Sequence, residues 1–141
     1  RPRRQYAALP IMRGEDGQPR VMLVTSRETG RWIIPKGWPK KGLAPRALAA
    51  LEAFEEAGIE GRIGEEALGS YRYSKLVRGK RGTKSIPCEV AVYPLLVERE
   101  LDRWPEQGQR QRSWFTPSEA ALLVEEAGLV TIMLILAAPD L

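Results

Sequence analysis

Three glutamates, Glu52, Glu55 and Glu56, stand three and four residues apart in the segment LEAFEEAGI. On a helix those spacings make neighbours, with ~5 to 6 Å between Cβ atoms, so the three side chains form one carboxylate cluster. At an effective dielectric near ~20, each pair of like charges at that range costs ~3 kcal/mol, against under ~1 kcal/mol in bulk water. A divalent cation reverses the sign. Oxygen donors without imidazole or thiolate suit Mg²⁺ or Mn²⁺, and magnesium is commonly held by one or two carboxylates together with substrate phosphates. The chemistry this points to is water attack on a diphosphate: the metal polarises a phosphoryl oxygen and acidifies a bound water, and a remaining carboxylate takes the proton. Taken alone, EAFEEAG would read as a solvated helix face, so the surrounding sequence has to decide.

Composition narrows the choice. The chain has no histidine, which removes Ser-His-Asp and Cys-His catalysis and the usual zinc sites. Acid and base work falls to carboxylates. The single cysteine, Cys88, has no partner for an internal disulfide, and Val90 and Val92 beside it mark a strand-core thiol in a reducing, cytoplasmic setting. A formal charge of +4 favours an anionic partner or substrate. The length fits one domain, residues 1–141. The longest apolar run, residues 129–139, falls short of the ~18 to 20 residues of a membrane span, so no membrane partner is expected.

The elements that must position the glutamates follow from periodicity and punctuation. Pro45 suits a first helical position and Gly58 the position just past a last one, which predicts a helix over residues 45–57. Ala47, Leu48, Ala50, Leu51, Phe54 and Ala57 cover most of its circumference and predict packing over a wide arc, with the glutamates on the remainder. Residues 5–12, 21–25 and 32–34 read as strands, the first an edge or bulged one because of Pro10, and 37–42 as a Gly/Pro/Lys loop. Residues 68–74 and 86–97 read as a hairpin, its connection a mobile cationic loop holding Lys75, Arg78, Lys80, Arg81 and Lys84. Residues 101–111 look irregular and 112–115 form a short strand. Thr116-Pro117-Ser118-Glu119 carries a capping-box pattern, predicting a helix to about residue 127, a break at Gly128, and a short apolar helix over 129–138. Strands and helices interspersed in this order indicate an α/β or α+β sandwich, helices covering a mixed sheet.

The stretch GWPKKGLAPRALAALEAFEEAGI resembles the signature box of the Nudix hydrolases: a glycine, five residues, a glutamate, seven residues, then Arg-Glu, an apolar residue, any residue, Glu-Glu, any residue, Gly and an apolar residue. Gly37 opens it; Glu52, Glu55, Glu56 and Gly58 fall at the required spacings, and Ala53 and Ile59 fill the apolar places. Two positions depart. Leu43 stands for the early glutamate and Leu51 for the arginine, the residue that in the family orients the glutamates, so the departure bears on catalytic efficiency more than on the metal site. RWIIPKG before the box, the hairpin after it and WPEQGQRQRSWFTPSEAALLV extend the likeness over residues 4–124, toward the subgroup that hydrolyses diphosphoinositol and diadenosine polyphosphates. The resemblance implies a Nudix-type α/β/α sandwich and a Mg²⁺- or Mn²⁺-dependent pyrophosphohydrolase. It implies that Glu52, Glu55 and Glu56 bind the metals, one of them also acting as general base, with the Lys36 carbonyl as a further ligand.

The expected substrate is a phosphate-rich small molecule met by Arg4, Arg27, Lys36, Lys80, Arg81 and Arg110, arginine suited to forked contacts and lysine to point-charge contacts. Of the aromatics, Tyr71 and Tyr73 are expected to pack, while Trp38 and Trp104 could either pack or stack on a base. Two rivals stand beside this reading. One is a Nudix-like binding module that has lost chemistry, for which Leu43 and Leu51 argue. The other is an RNA 5′-end pyrophosphohydrolase, for which the hairpin cations argue. The chain is expected to act as a monomer or a homodimer.

Overall fold

The computed structural model describes residues 1–139. Two long strands, β1 (Arg3–Arg13) and β7 (Gly82–Glu100), run parallel from the Arg3↔Cys88 pair to Ile11↔Leu96 and form the centre of one mixed sheet. The first half of β7 pairs with β6 (Gly69–Gly79) and its second half with β5 (Ile59–Ile63), both antiparallel. On the other side, β1 pairs with β2 (Pro19–Thr25) and with the two-residue strand β4 (Lys36–Gly37). β2 in turn carries β3 (Trp32–Ile33) and β8 (Arg112–Phe115).

Period-2 alternation sends successive residues to opposite faces, and each face has its own core. Ala7, Leu9, Val21, Leu23, Val90 and Val92 face α2 (Pro117–Leu123) and α3 (Ala127–Ala137). Ala8, Met22, Val24 and Leu95 face α1 (Pro45–Ala57). This is the expected three-layer sandwich. Cys88 is the buried strand thiol the sequence suggests, and no helix is long and apolar enough to cross a membrane among the described residues.

The helix ends follow their sequence signals. Pro45 occupies the first turn of α1, and Gly58 closes it in the left-handed conformation at φ 66°, its N–H donating to the Phe54 carbonyl. The Thr116 hydroxyl accepts from the Glu119 N–H at 3.1 Å while the Glu119 carboxylate accepts from the Thr116 N–H at 2.8 Å, completing the capping box.

Several expectations are corrected. The connection of the hairpin is no long loop: strand pairing continues to Gly79↔Gly82, so Lys75, Arg78 and Lys84 lie in strands and only Lys80 and Arg81 make the turn. α2 ends at Leu123, and Gly128 lies inside α3 instead of breaking a helix. Its role is close approach, since a Cβ there would sit 2.7 Å from Tyr71 Cβ and 2.9 Å from the Ser70 carbonyl oxygen. β5 and β4 are additional to the predicted strands. On α1 the buried stripe is Leu48, Ala49, Glu52, Ala53, Glu56 and Ala57, with Leu51 and Phe54 only half-buried. The alanines let α1 lie close on the sheet, and that proximity buries Glu52 and Glu56 on the packed side.

Candidate active site

At one end of the sheet a cleft of about 620 Å³ opens between α1, the 26–31 turn, β4 with the loop after it, the base of the β6–β7 hairpin and the segment joining β7 to β8. Glu52 and Glu56 line it from the helix, Lys36 and Gly37 from β4, and Tyr73 and Lys75 from β6. Gly37 is fixed by contact: a Cβ at this position would lie 2.7 Å from Glu52 Oε2 and 2.8 Å from its Cγ. No residue with a side chain leaves room for that carboxylate.

Glu52 and Glu56 are 9% and 5% exposed, one helical turn apart and within hydrogen-bonding reach of each other. Burial raises the Glu52 carboxyl above the ordinary carboxylate range, and the charge of Glu55 adds to it. Burial pushes Glu56 up to about 8; the Arg110 guanidinium opposes the shift, and the hydrogen bond with Glu52 reinforces it. Two buried acids so placed favour holding a proton between them. The donor set is all oxygen, and the absence of a side chain at Gly37 gives the Glu52 carboxylate its place. A hard divalent cation fits such a pair, taking the proton's place and completing its shell with water, a backbone carbonyl and substrate phosphates. Glu55 is half-exposed and absent from the cleft lining. Among the described residues no three acid or thiol side chains converge as a ready-made ligand set.

The segment after β7 grips the end of α1 that carries these acids. Trp104 packs against Gly58, where a Cβ would lie 2.6 Å from its ring, and its Nε1–H donates to the Glu56 carbonyl at 3.2 Å. The Glu106 N–H donates to the Glu55 carbonyl at 3.0 Å. Arg112 stacks over Trp104 with its guanidinium carbon 4.0 Å from the ring centroid, and donates to the carbonyls of Ala57, Gly58 and Leu101. The helix-end carbonyls left without intrahelical partners are met by donors from outside the helix. Trp104 therefore packs, while Trp38 lines the cleft with Arg3 over its ring at 4.7 Å. Tyr71 is core, and Tyr73 bonds to Gln5 at the cleft wall.

The structure brings together some of the expected cations. Arg27, Lys36 and Arg110 line the cleft; Arg4 is exposed on β1, and Lys80 and Arg81 stand at the hairpin tip, outside the lining. Burial lowers the ammonium pKa of Lys36, whose Nζ lies 5.2 Å over the Tyr73 ring. Arg27 is about half exposed and donates to Gln109 Oε1 at 3.1 Å. Three further cations, Arg31, Lys40 and Lys75, line the cleft although none was among the residues expected to meet the phosphates. Arg31 is held by Glu126 at 2.7 Å through Nη2, while its Nη1 is buried without a partner among the described residues. Its place at the end of the turn before WIIPKG was the available signal. Arg110 faces the glutamates, with Nη2 3.8 Å from Glu56 Oε1.

Comparison with known proteins agrees with this architecture. The model of the NUDIX domain matches residues 2–133. Among curated proteins, Nudix hydrolase 16, mitochondrial, of Arabidopsis thaliana is 35% identical over 100 residues, covering 71% of this chain and 55% of the relative. Diphosphoinositol polyphosphate phosphohydrolase 3-beta of Bos taurus is 27% identical over 124 residues, covering 86% and 70%. The chain spans about half the length of the Arabidopsis relatives it matches. Among solved structures, the C. elegans Ap4A hydrolase superposes with a TM-score of 0.61 at 16% identity, covering 94% of each chain, which is a likeness of fold. The family model spans nearly the whole chain, and the box glutamates lie on the one helix that faces the cleft, so the chain belongs to the NUDIX domain family.

Proposed function

We propose that this chain is a metal-dependent pyrophosphohydrolase that cleaves a diphosphate linkage in a phosphate-rich small molecule. The observation that carries the reading is the buried Glu52–Glu56 pair, its Glu52 carboxylate seated against Gly37, in a cleft that also presents Arg27, Arg31, Lys36, Lys40 and Lys75. Glu52 and Glu56 hold Mg²⁺ or Mn²⁺, with the Lys36 carbonyl as a further donor and Glu55 joining from the rim. When bound, the cation polarises the phosphoryl oxygen and acidifies the attacking water. One of the three carboxylates also accepts the water's proton. Arg27 offers forked contacts to phosphate oxygens, and Arg31, Lys36, Lys40 and Lys75 act as point charges. Diphosphoinositol polyphosphates, named by the bovine protein, and Ap4A, named by the nematode one, are the first substrates to try.

The deciding experiment compares Glu56→Gln with the native chain for Mg²⁺-dependent phosphate release across diphosphoinositol polyphosphates, dinucleoside polyphosphates, nucleoside diphosphate sugars and capped RNA. Loss of on the order of 100-fold or more is expected. Equal activity in two folded proteins would sink the assignment. Tight ligand binding by the native chain with no turnover under Mg²⁺ or Mn²⁺ would favour a binding module, in keeping with Leu43 and Leu51. Lys80 and Arg81 at the hairpin tip are the observation favouring RNA, and a preference for triphosphorylated RNA over dinucleoside polyphosphates would establish it.

A further inference from the structure

Arg110 is one of the cations expected to meet substrate phosphates, yet its surroundings give it a different task. Its side chain is 8% exposed, and a guanidinium taken out of water needs acceptors for its donors. All three nitrogens are aimed at the protein. Nε donates to Glu106 Oε1 at 2.9 Å, Nη1 donates to the Thr25 carbonyl at 3.1 Å, and Nη2 lies 3.8 Å from Glu56 Oε1. The contrast within the same cleft is sharp. Arg27 is 55% exposed, and Arg31 keeps Nη1 without a protein partner.

The need for such a residue arises on α1. Glu56 has 6% of its side chain exposed and lies beside a second buried acid. An uncompensated charge in that position is costly. The helix has no cation to offer. Arg46, its only basic residue, sits at the opposite end and donates to the Ile63 carbonyl, and Leu51 supplies no charge. The countercharge must come from another element. The segment after β7 already reaches the last turn of α1 through Trp104 and the Glu106 N–H, and Arg110 rides on that segment.

We infer that Arg110 is a positioning residue: it ties the end of β2, the segment after β7 and the acidic end of α1 into one unit and holds the Glu56 carboxylate, and it does not serve as a ligand of the substrate. Glu106 is part of the same device, because it fixes the guanidinium through Nε and α1 through its own backbone N–H.

The first arm of the test needs no activity. In metal-free protein at pH 9, above the pH at which Glu56 gives up its proton, Arg110→Ala lowers Tm by on the order of 10 °C, as expected when one partner of a buried pair is removed. In a Glu56→Gln background the same change lowers Tm by less than half as much, since a neutral amide needs no countercharge. Equal losses in the two backgrounds overturn the inference. Should Arg110→Ala fail to fold, Arg110→Gln keeps most of the length without the charge, and the same inequality is required of it.

The second arm rests on the proposed hydrolase reading. With a diphosphate substrate, Arg110→Ala lowers kcat by about 10- to 100-fold and leaves KM within about threefold, whereas Arg27→Ala raises KM. Glu106→Gln shows the same pattern as Arg110→Ala, and the double variant is no worse than Arg110→Ala alone. A raised KM with native kcat in Arg110→Ala makes it a phosphate ligand and overturns the inference. If the native chain turns over no diphosphate, the hydrolase reading fails, and the Tm comparison still decides the role of Arg110.

Discussion

Replacing Gly37 by alanine tests the cleft at its tightest point. The added methyl carbon would lie 2.7 Å from Glu52 Oε2 and 2.8 Å from Glu52 Cγ, where ordinary carbon contacts are ~3.5 to 4.0 Å. About 1 Å must be found. The β4 backbone is paired with β1 at Tyr6↔Gly37 and Ala7↔Lys36, so the flexible partner is the Glu52 side chain, which rotates away from the strand. An overpacked site costs ~1 to 3 kcal/mol. Because a side chain and not the backbone gives way, the lower end applies, a Tm loss of roughly 3 to 6 °C. Loss of metal binding is the larger effect. A displaced carboxylate should weaken Mn²⁺ binding at least ~10-fold, the scale seen when the surroundings of a metal ligand are disturbed. Calorimetric titration of Mn²⁺ into folded Gly37→Ala and native protein, with Tm measured on both, separates the two effects. Native metal affinity in a folded variant would refute the geometry, because Glu52 would then bind without needing the space beside Gly37.

Two further outcomes follow from the same structure. Burial raises Glu56 from the ordinary carboxylate range to about 8, so protonation favours the fold: metal-free stability is fully present below pH ~4.5 and falls as pH rises through about 8. A divalent cation binds the deprotonated pair, so the Tm difference between Mg²⁺ and EDTA samples should grow across that window; a difference that is flat or shrinks from pH 5 to 8 would count against metal binding at Glu56. Gly128→Ala forces α3 away from Tyr71 and the Ser70 carbonyl, and is expected to lower stability by ~1 to 3 kcal/mol while leaving Mn²⁺ affinity native, which denaturant unfolding and the same titration check.

The sequence was most informative where one residue type has one physical use. Pro45 and Gly58 bound α1 at both ends as expected, and the Thr116–Glu119 box starts α2 where it should. The alternation of Cys88, Val90 and Val92 marked a buried strand face correctly. Errors arose where tertiary contact outranks a local signal. Gly128 is a poor helix former, but the approach of α3 to β6 admits no side chain there. Glycines at 79 and 82 suggested a loop, while cross-strand pairing carries β6 and β7 to the last residue before the turn. On α1 the packed arc was expected to include Leu51 and Phe54 but not Ala49 and Ala53, yet these two alanines set the contact distance and so brought Glu52 and Glu56 inward. For the site, spacing and register singled out Glu52 and Glu56, which line the cleft, and Glu55, which does not. The cations are harder, because a surface arginine and a cleft arginine look alike in sequence, and Arg31 and Arg110 are distinguished only by which acids fold against them.

The parallel seam between β1 and β7 has a consequence for how the molecule is made. β1 is synthesised before α1, β5 and β6, and its central partner β7 only after them. Until then one edge of β1 between Arg3 and Ile11 is unpaired and its apolar residues lack a neighbour, a configuration prone to edge-to-edge association. Closing the seam joins Arg3 to Cys88 across most of the chain, the kind of distant pairing that slows folding. The cleft inherits that schedule, because the segment that grips the end of α1 lies beyond β7 and completes the site only after the sheet has closed.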